Sequence, residues 1–203
     1  DSVSDEGIDV PDTITITDNR TGKTVTVPIT DGVFASSALR ELEPGFVSVT
    51  YGAGGSNHDR SLDVVGRIKQ ELEIEAMAHF TCVGSTVDEL RAVLSELAEL
   101  GIENVIALRG DPPVGEDTFV APAGGLGNAD ALVQLIADEF DFGIAGACYP
   151  EVHPEAISPE DDLAHTLQKV RNGASFLVTQ MFFDNAFYFD FVERARAAGI
   201  EVP

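Results

Sequence analysis

The chain has 203 residues, 44% of them apolar, enough for one buried core with at most a small appendage. Its 35 acidic and 12 basic residues give a formal charge of −23, which repels phosphate backbones and anionic membrane surfaces and excludes nucleic acid as an expected partner. No run approaches the roughly 20 continuous apolar residues of a membrane span, and the acidic opening Asp1-Ser2-Val3-Ser4-Asp5-Glu6 lacks the pattern of a secretion signal, so no membrane role is expected and the expected compartment is the cytoplasm.

Residues 1–11 are acidic and poor in apolar side chains, the composition of a disordered tail. Residues 13–29 alternate with period two: Thr13-Ile14-Thr15-Ile16-Thr17, a turn around Asp18–Lys23 containing Gly22, and Thr24-Val25-Thr26-Val27-Pro28-Ile29. This is the pattern of a β-hairpin, and residues 12–44 read as that hairpin and a linker.

From about residue 45 short apolar runs alternate with amphipathic helices. The predicted strands are Phe46–Thr50, Ala76–Thr81, Asn104–Leu108, Gly143–Cys148 and Ser175–Phe182. Thr86-Val87-Asp88-Glu89 is a capping box that opens a helix carrying Leu90, Val93, Leu94, Leu97 and Leu100 and stopping at Gly101. Ser158-Pro159-Glu160-Asp161 opens another, with proline at its first position and Leu163, Leu167 and Val170 on one face. Five βα units in series predict a parallel sheet, either doubly wound or part of a (β/α)₈ barrel; periodicity does not choose between them. The sequence ends at Gly199-Ile200-Glu201-Val202-Pro203, where a sixth strand is expected to start. Cys82 and Cys148 lie inside strand-like runs and read as buried thiols, not as a disulfide or a zinc site.

Ligands of parallel α/β folds bind at the carboxyl ends of strands, and all five units place polar groups there. They are Thr50 before Tyr51-Gly52-Ala53-Gly54-Gly55, His79 and Thr81, Arg109-Gly110-Asp111, Tyr149-Pro150-Glu151-Val152-His153, and Thr179-Gln180. Singly, each has a plain reading: a core histidine at 79, an ion pair between Arg109 and Asp111, a glutamine satisfying backbone groups. Their convergence on one mouth exceeds what packing requires and predicts a binding site.

Taken together, Phe46–Gly55, His79-Phe80-Thr81-Cys82, Ala107–Pro113, Tyr149–Ala156 and Thr179-Gln180-Met181-Phe182-Phe183-Asp184 resemble, in order and spacing, the methylenetetrahydrofolate reductase family over about residues 45–203. The resemblance implies an incomplete (β/α)₈ TIM barrel of about five βα units, preceded by the hairpin, with FAD across the strand ends. It implies hydride transfer from NADH or NADPH through the flavin to 5,10-methylenetetrahydrofolate, giving 5-methyltetrahydrofolate. By the same resemblance Thr50, His79, Arg109, Gly110 and Asp111 line the flavin, and Tyr149, His153, Asp162, His165 and Lys169 hold the ribityl, phosphate and adenine portions. Asp111 tunes the ring by its charge, Gln180 bonds the folate pterin, and Phe182 or Phe183 supplies an apolar wall; Asp111 and Gln180 are the expected catalytic residues. Arg109 and Lys169 suit a chain of this charge, since a diphosphate needs local cations.

The sequence also departs from that pattern. The family's Phe-Glu-Phe-Phe-Pro-Pro motif, whose Glu is associated with proton delivery to the folate, does not occur. His165 stands where Asn is frequent and Asn128 where an adenine-side aromatic is common. Residues 12–40 instead resemble the opening hairpin of citrate synthases, without that family's catalytic residues. Two alternatives follow: a non-catalytic barrel fragment, or a different barrel for a phosphorylated ligand. Open edges at the first and last barrel strands lead to an expected homo-oligomer.

Overall fold

The structure, a computed structural model, describes residues 43–50, 58–112 and 119–203, together with the backbone of three strands near the amino terminus. The acidic tail at 1–11, the turn at 18–23 and the glycine-rich run after Thr50 lie outside the described residues. Strand β1 (Thr13–Thr17) pairs antiparallel with β2 (Thr24–Thr30), setting Ile14 opposite Val27 and Ile16 opposite Val25. The predicted hairpin therefore forms. A two-residue strand, β3 (Val33–Phe34), adds antiparallel to β2 and was not foreseen from the sequence.

Five parallel strands follow: β4 (Val47–Val49), β5 (Ala76–Thr81), β6 (Asn104–Leu108), β7 (Gly143–Cys148) and β8 (Phe176–Thr179). Helices α1 (His58–Leu72), α2 (Val87–Glu99), α3 (Ala129–Glu139) and α4 (Pro159–Arg171) connect them, and α5 (Asn185–Ala197) follows β8. The spatial order β4-β5-β6-β7-β8 is the chain order, with no reversal. Right-handed crossovers wound in one direction put every helix on the same face, which is the wall of an incomplete (β/α) barrel and not a doubly wound sheet.

The two faces of the sheet follow from period two along each strand. Ala76, Ala78 and Phe80 of β5, with Val105 and Ala107 of β6, enter the core against the helices, while Met77, Ile106 and Ala145 form a small cluster on the opposite face. Helix α2 shows how local sequence sets the packing. Thr86 accepts the Glu89 N–H and Glu89 accepts the Thr86 N–H at 2.8 Å, closing the predicted capping box. Leu90, Leu94 and Leu97 then fall on one face and are at most 1% exposed, each burial favouring the fold by about 1.5–3 kcal/mol. Gly101 ends the turn at φ +77°, a backbone angle that suits glycine.

Helix α4 begins as its sequence predicts, with Ser158 capping Asp161 and proline in the first turn. The last strand is shorter than predicted, ending at Thr179 and not at Phe182. Its partner β7 stops at Cys148, just before Pro150. Gln180 donates one more backbone bond to Cys148 at 2.7 Å, and the ladder then has nothing to pair with. After α5 the chain returns along β8, where the Leu177 N–H donates to the Pro203 carbonyl at 2.8 Å. Among the described residues no helix is long and apolar enough to cross a membrane.

Candidate ligand cleft at the strand ends

The carboxyl ends of β4 to β8 enclose a cleft of about 570 Å³. It takes Thr50 after β4, His79 and Thr81 from β5, Arg109, Gly110 and Asp111 after β6, Tyr149 and His153 after β7, and Gln180 after β8. A second hollow of about 200 Å³ shares Arg109, Tyr149 and His153 with the first and runs out over α3 and α4, where Asp162, His165 and Lys169 line it. The two hollows adjoin along these shared residues. Phe182 is not among the lining residues; it stacks on Tyr188 of α5 at 5.3 Å, and Phe183 is 91% exposed.

Arg109 is the best-defined charge in the site. Its two terminal nitrogens donate to the two Glu155 carboxylate oxygens at 2.6 and 2.8 Å, and its guanidinium lies 5.0 Å from the centre of the Phe119 ring. The ion pair considered between Arg109 and Asp111 is therefore replaced by one with Glu155. Glu155 holds the guanidinium firmly charged, with Asp111 adding only through space, and Arg109 in return holds the Glu155 carboxyl below its usual range. A fork of this kind matches carboxylates and phosphates equally well.

The first cleft is otherwise poor in charge. Burial lowers the His79 imidazole from its ordinary value, so it is neutral near pH 7, and burial with nearby carboxylates keeps the Tyr149 phenol protonated. The Tyr149 and His153 rings meet edge to face at 4.6 Å. His153 Nδ1 accepts the Glu155 N–H at 3.1 Å. Gly110 adopts φ +89°, and a Cβ there would lie 2.5 Å from Val83 Cγ1, so glycine lets the 109–111 turn close against the end of β5.

The second hollow gathers charge. Asp162 is buried and accepts the His153 N–H at 3.2 Å, which ties α4 to the β7 loop. His165 Nδ1 lies 2.9 Å from Asp130 of α3. Lys169 is buried, and its Nζ donates to the Ala147 carbonyl at 2.8 Å; burial lowers its pKa, an effect that Asp130 and Asp162 partly offset. Asn128 caps α3 by accepting the Ala131 N–H at 2.9 Å, which accounts for asparagine at that position. Beneath the site Cys82 and Cys148 are free, buried thiols, each pushed up to about 11 by burial.

Sequence reasoning left Glu155 and Asp130 out of the site, although Glu155 sits within the Tyr149–Ala156 run it singled out and Asp130 lies two residues beyond Asn128. It noted Thr81 as a strand-end residue without giving it a role; the signal was the i, i+2 spacing that puts Thr81 on the face of His79.

The family model described as methylenetetrahydrofolate reductase matches residues 30–203. The chain is 44% identical over 164 residues to the 5,10-methylenetetrahydrofolate reductase of Salmonella typhimurium, covering 81% of this chain and 53% of that one. It is 41% identical over 171 residues to methylenetetrahydrofolate reductase (NADH) 1 of Zea mays, covering 79% of this chain and 29% of the maize protein. It thus spans about half the length of its bacterial relatives and under a third of its plant ones. Among solved structures, a phosphoenolpyruvate phosphomutase from Streptomyces platensis subsp. rosaceus matches with a TM-score of 0.53 at 12% identity, over 79% of this chain and 69% of that one. A monomeric dihydrodipicolinate synthase variant matches with a TM-score of 0.51 at 15% identity, over 87% and 58%. These last two likenesses concern the fold alone.

Proposed function

This chain belongs to the methylenetetrahydrofolate reductase family, and from that premise we propose that its strand-end site holds FAD and serves the reduction of 5,10-methylenetetrahydrofolate by NADH or NADPH. The observation that carries the reading is the adjacent pair of hollows that share Arg109, Tyr149 and His153. A larger, nearly neutral cleft suits a planar heterocycle, and a smaller, charged one suits a ribityl diphosphate and a nucleotide. Flavin, when bound, supplies a carrier that accepts and returns a hydride.

The chain's own residues would bind and orient. Asp111 sets a negative charge at the rim of the larger cleft, His79 and Tyr149 offer uncharged hydrogen-bonding groups within it, and Gln180 presents an amide from the far strand toward the folate. Arg109 and Lys169 are the cations of the diphosphate end, with Asp162 and His165 beside them. On this reading residues 1–11 are a tail, 12–44 an appended hairpin and linker, and 45–203 the part of the barrel that carries the cofactor. The missing Phe-Glu-Phe-Phe-Pro-Pro motif favours a second reading, in which these residues hold flavin while proton delivery to the folate needs a carboxylate from elsewhere.

The test is to mix the purified chain with FAD in high salt, pass it through gel filtration, and follow absorption near about 450 nm, the region of oxidised flavin. The proposal expects the yellow colour to travel with the protein and to bleach with NADH or NADPH. Reoxidation by methylenetetrahydrofolate separates full turnover from flavin holding alone. A colourless protein peak would overturn both readings.

A further inference from the structure

Among the described residues one buried side-chain polar atom has no hydrogen-bond partner, the Thr81 hydroxyl oxygen. Thr81 is the last residue of β5, paired in register with Leu108 of β6, and it shares the cleft face with His79 two residues earlier. Its Cβ stands 3.2 Å from where a Cβ on Gly110 would lie, so the side chain is wedged between the 109–111 turn and the floor of the cleft.

An unsatisfied buried hydroxyl costs about 1–3 kcal/mol, and valine has the same shape, similar strand preference and no such cost. A threonine kept under that penalty is explained if its partner arrives with the ligand. The surroundings select which part of a ligand that is. His79 is uncharged, and Arg109 and Lys169 both line the second, charged hollow. Among the described residues a phosphate at Thr81 would find no cation that belongs to the larger cleft alone, whereas a ring carbonyl or ring nitrogen needs a single hydroxyl.

We propose that the Thr81 hydroxyl is a cofactor-contacting group, hydrogen-bonding a polar edge atom of the planar ring system that occupies the larger cleft. The inference rests on the flavin reading above and adds to it a recognition residue for the ring, distinct from the groups that face the diphosphate.

The experiment compares the full chain with Thr81→Val and Thr81→Ser, measuring the melting temperature without ligand, the FAD dissociation constant and the absorption spectrum of the bound flavin. Thr81→Val is expected to melt at or above the parent temperature when ligand-free, because it removes an unpaired hydroxyl. It should bind FAD about three- to tenfold more weakly, the worth of one hydrogen bond, and shift the bound-flavin spectrum. Thr81→Ser should keep the parent affinity and spectrum within about a factor of two. If Thr81→Val binds FAD with parent affinity, the hydroxyl does not contact the ring and the inference fails while the flavin reading stands. A clear loss of ligand-free stability in Thr81→Val would equally sink it, since the hydroxyl would then have a partner inside the protein. If the parent chain binds no FAD, the flavin reading itself fails and takes the inference with it.

Discussion

His79 sits where a parallel strand runs out into a cleft, close enough to solvent to meet a ligand and buried enough to lose its charge. Burial is the cause of its lowered pKa, and the sign of the consequence follows. Between the folded value and about 6.5 the unfolded chain binds more protons than the folded one. The contribution of His79 to stability is therefore complete above about pH 6.5 and is lost as pH falls through the lowered folded value. Carboxylates held below their usual range, such as Glu155 beside Arg109 and Glu139 beside Arg91, act only at more acid pH. Urea midpoints measured in steps from about pH 7.5 to about pH 5 should fall, and His79→Gln should flatten that slope. An unchanged slope in the variant would assign it to another group.

Each helix after the first carries its own start signal, and that is why the elements could be placed from local sequence. Thr86, Asn128, Ser158 and Asp184 each accept a backbone N–H in the first turn of the helix that follows. At the opposite, amino-terminal side of the sheet a different device joins elements: Lys69 of α1 donates to Glu75 at 2.6 Å, and Asn104 of β6 donates to the same carboxylate at 2.9 Å. That end of a barrel wall serves stability, and its polar groups are satisfied by one another. The capping box of α2 gives the cleanest test. Thr86→Ala should lower stability by about 1 kcal/mol, seen as a lower urea midpoint with unchanged slope, and Thr86→Ser should restore most of it. A null effect would mean that the packing of Leu90, Leu94 and Leu97 alone holds the helix start.

A charge of −23 on 203 residues acts on the whole molecule at once. FAD is an anion, so long-range repulsion opposes its approach even where, on the proposed reading, Arg109 and Lys169 attract it locally. Salt screens distant charges more than near ones. The FAD dissociation constant is thus expected to fall as potassium chloride rises from about 0.05 M to about 1 M, in a fluorescence titration. Weaker binding at high salt would show that the two local cations outweigh the field of the whole surface. The scale of the whole molecule is also where reading the sequence and seeing the fold part company. Strands β5, β6 and β7 have the boundaries their sequences predict, because alternation and capping are properties of neighbouring residues. The polar residues at the strand ends were legible for the same reason: a parallel strand must deliver its last side chains to one edge. Strand order without reversal came from the family resemblance and not from periodicity, and the early end of β8, the pairing of Arg109 with a carboxylate 46 residues away and the orphaned hydroxyl of Thr81 were not legible. Each depends on which distant segment arrives alongside, and that is decided only when the whole sheet has closed against its helices and every strand has found the length of its partner.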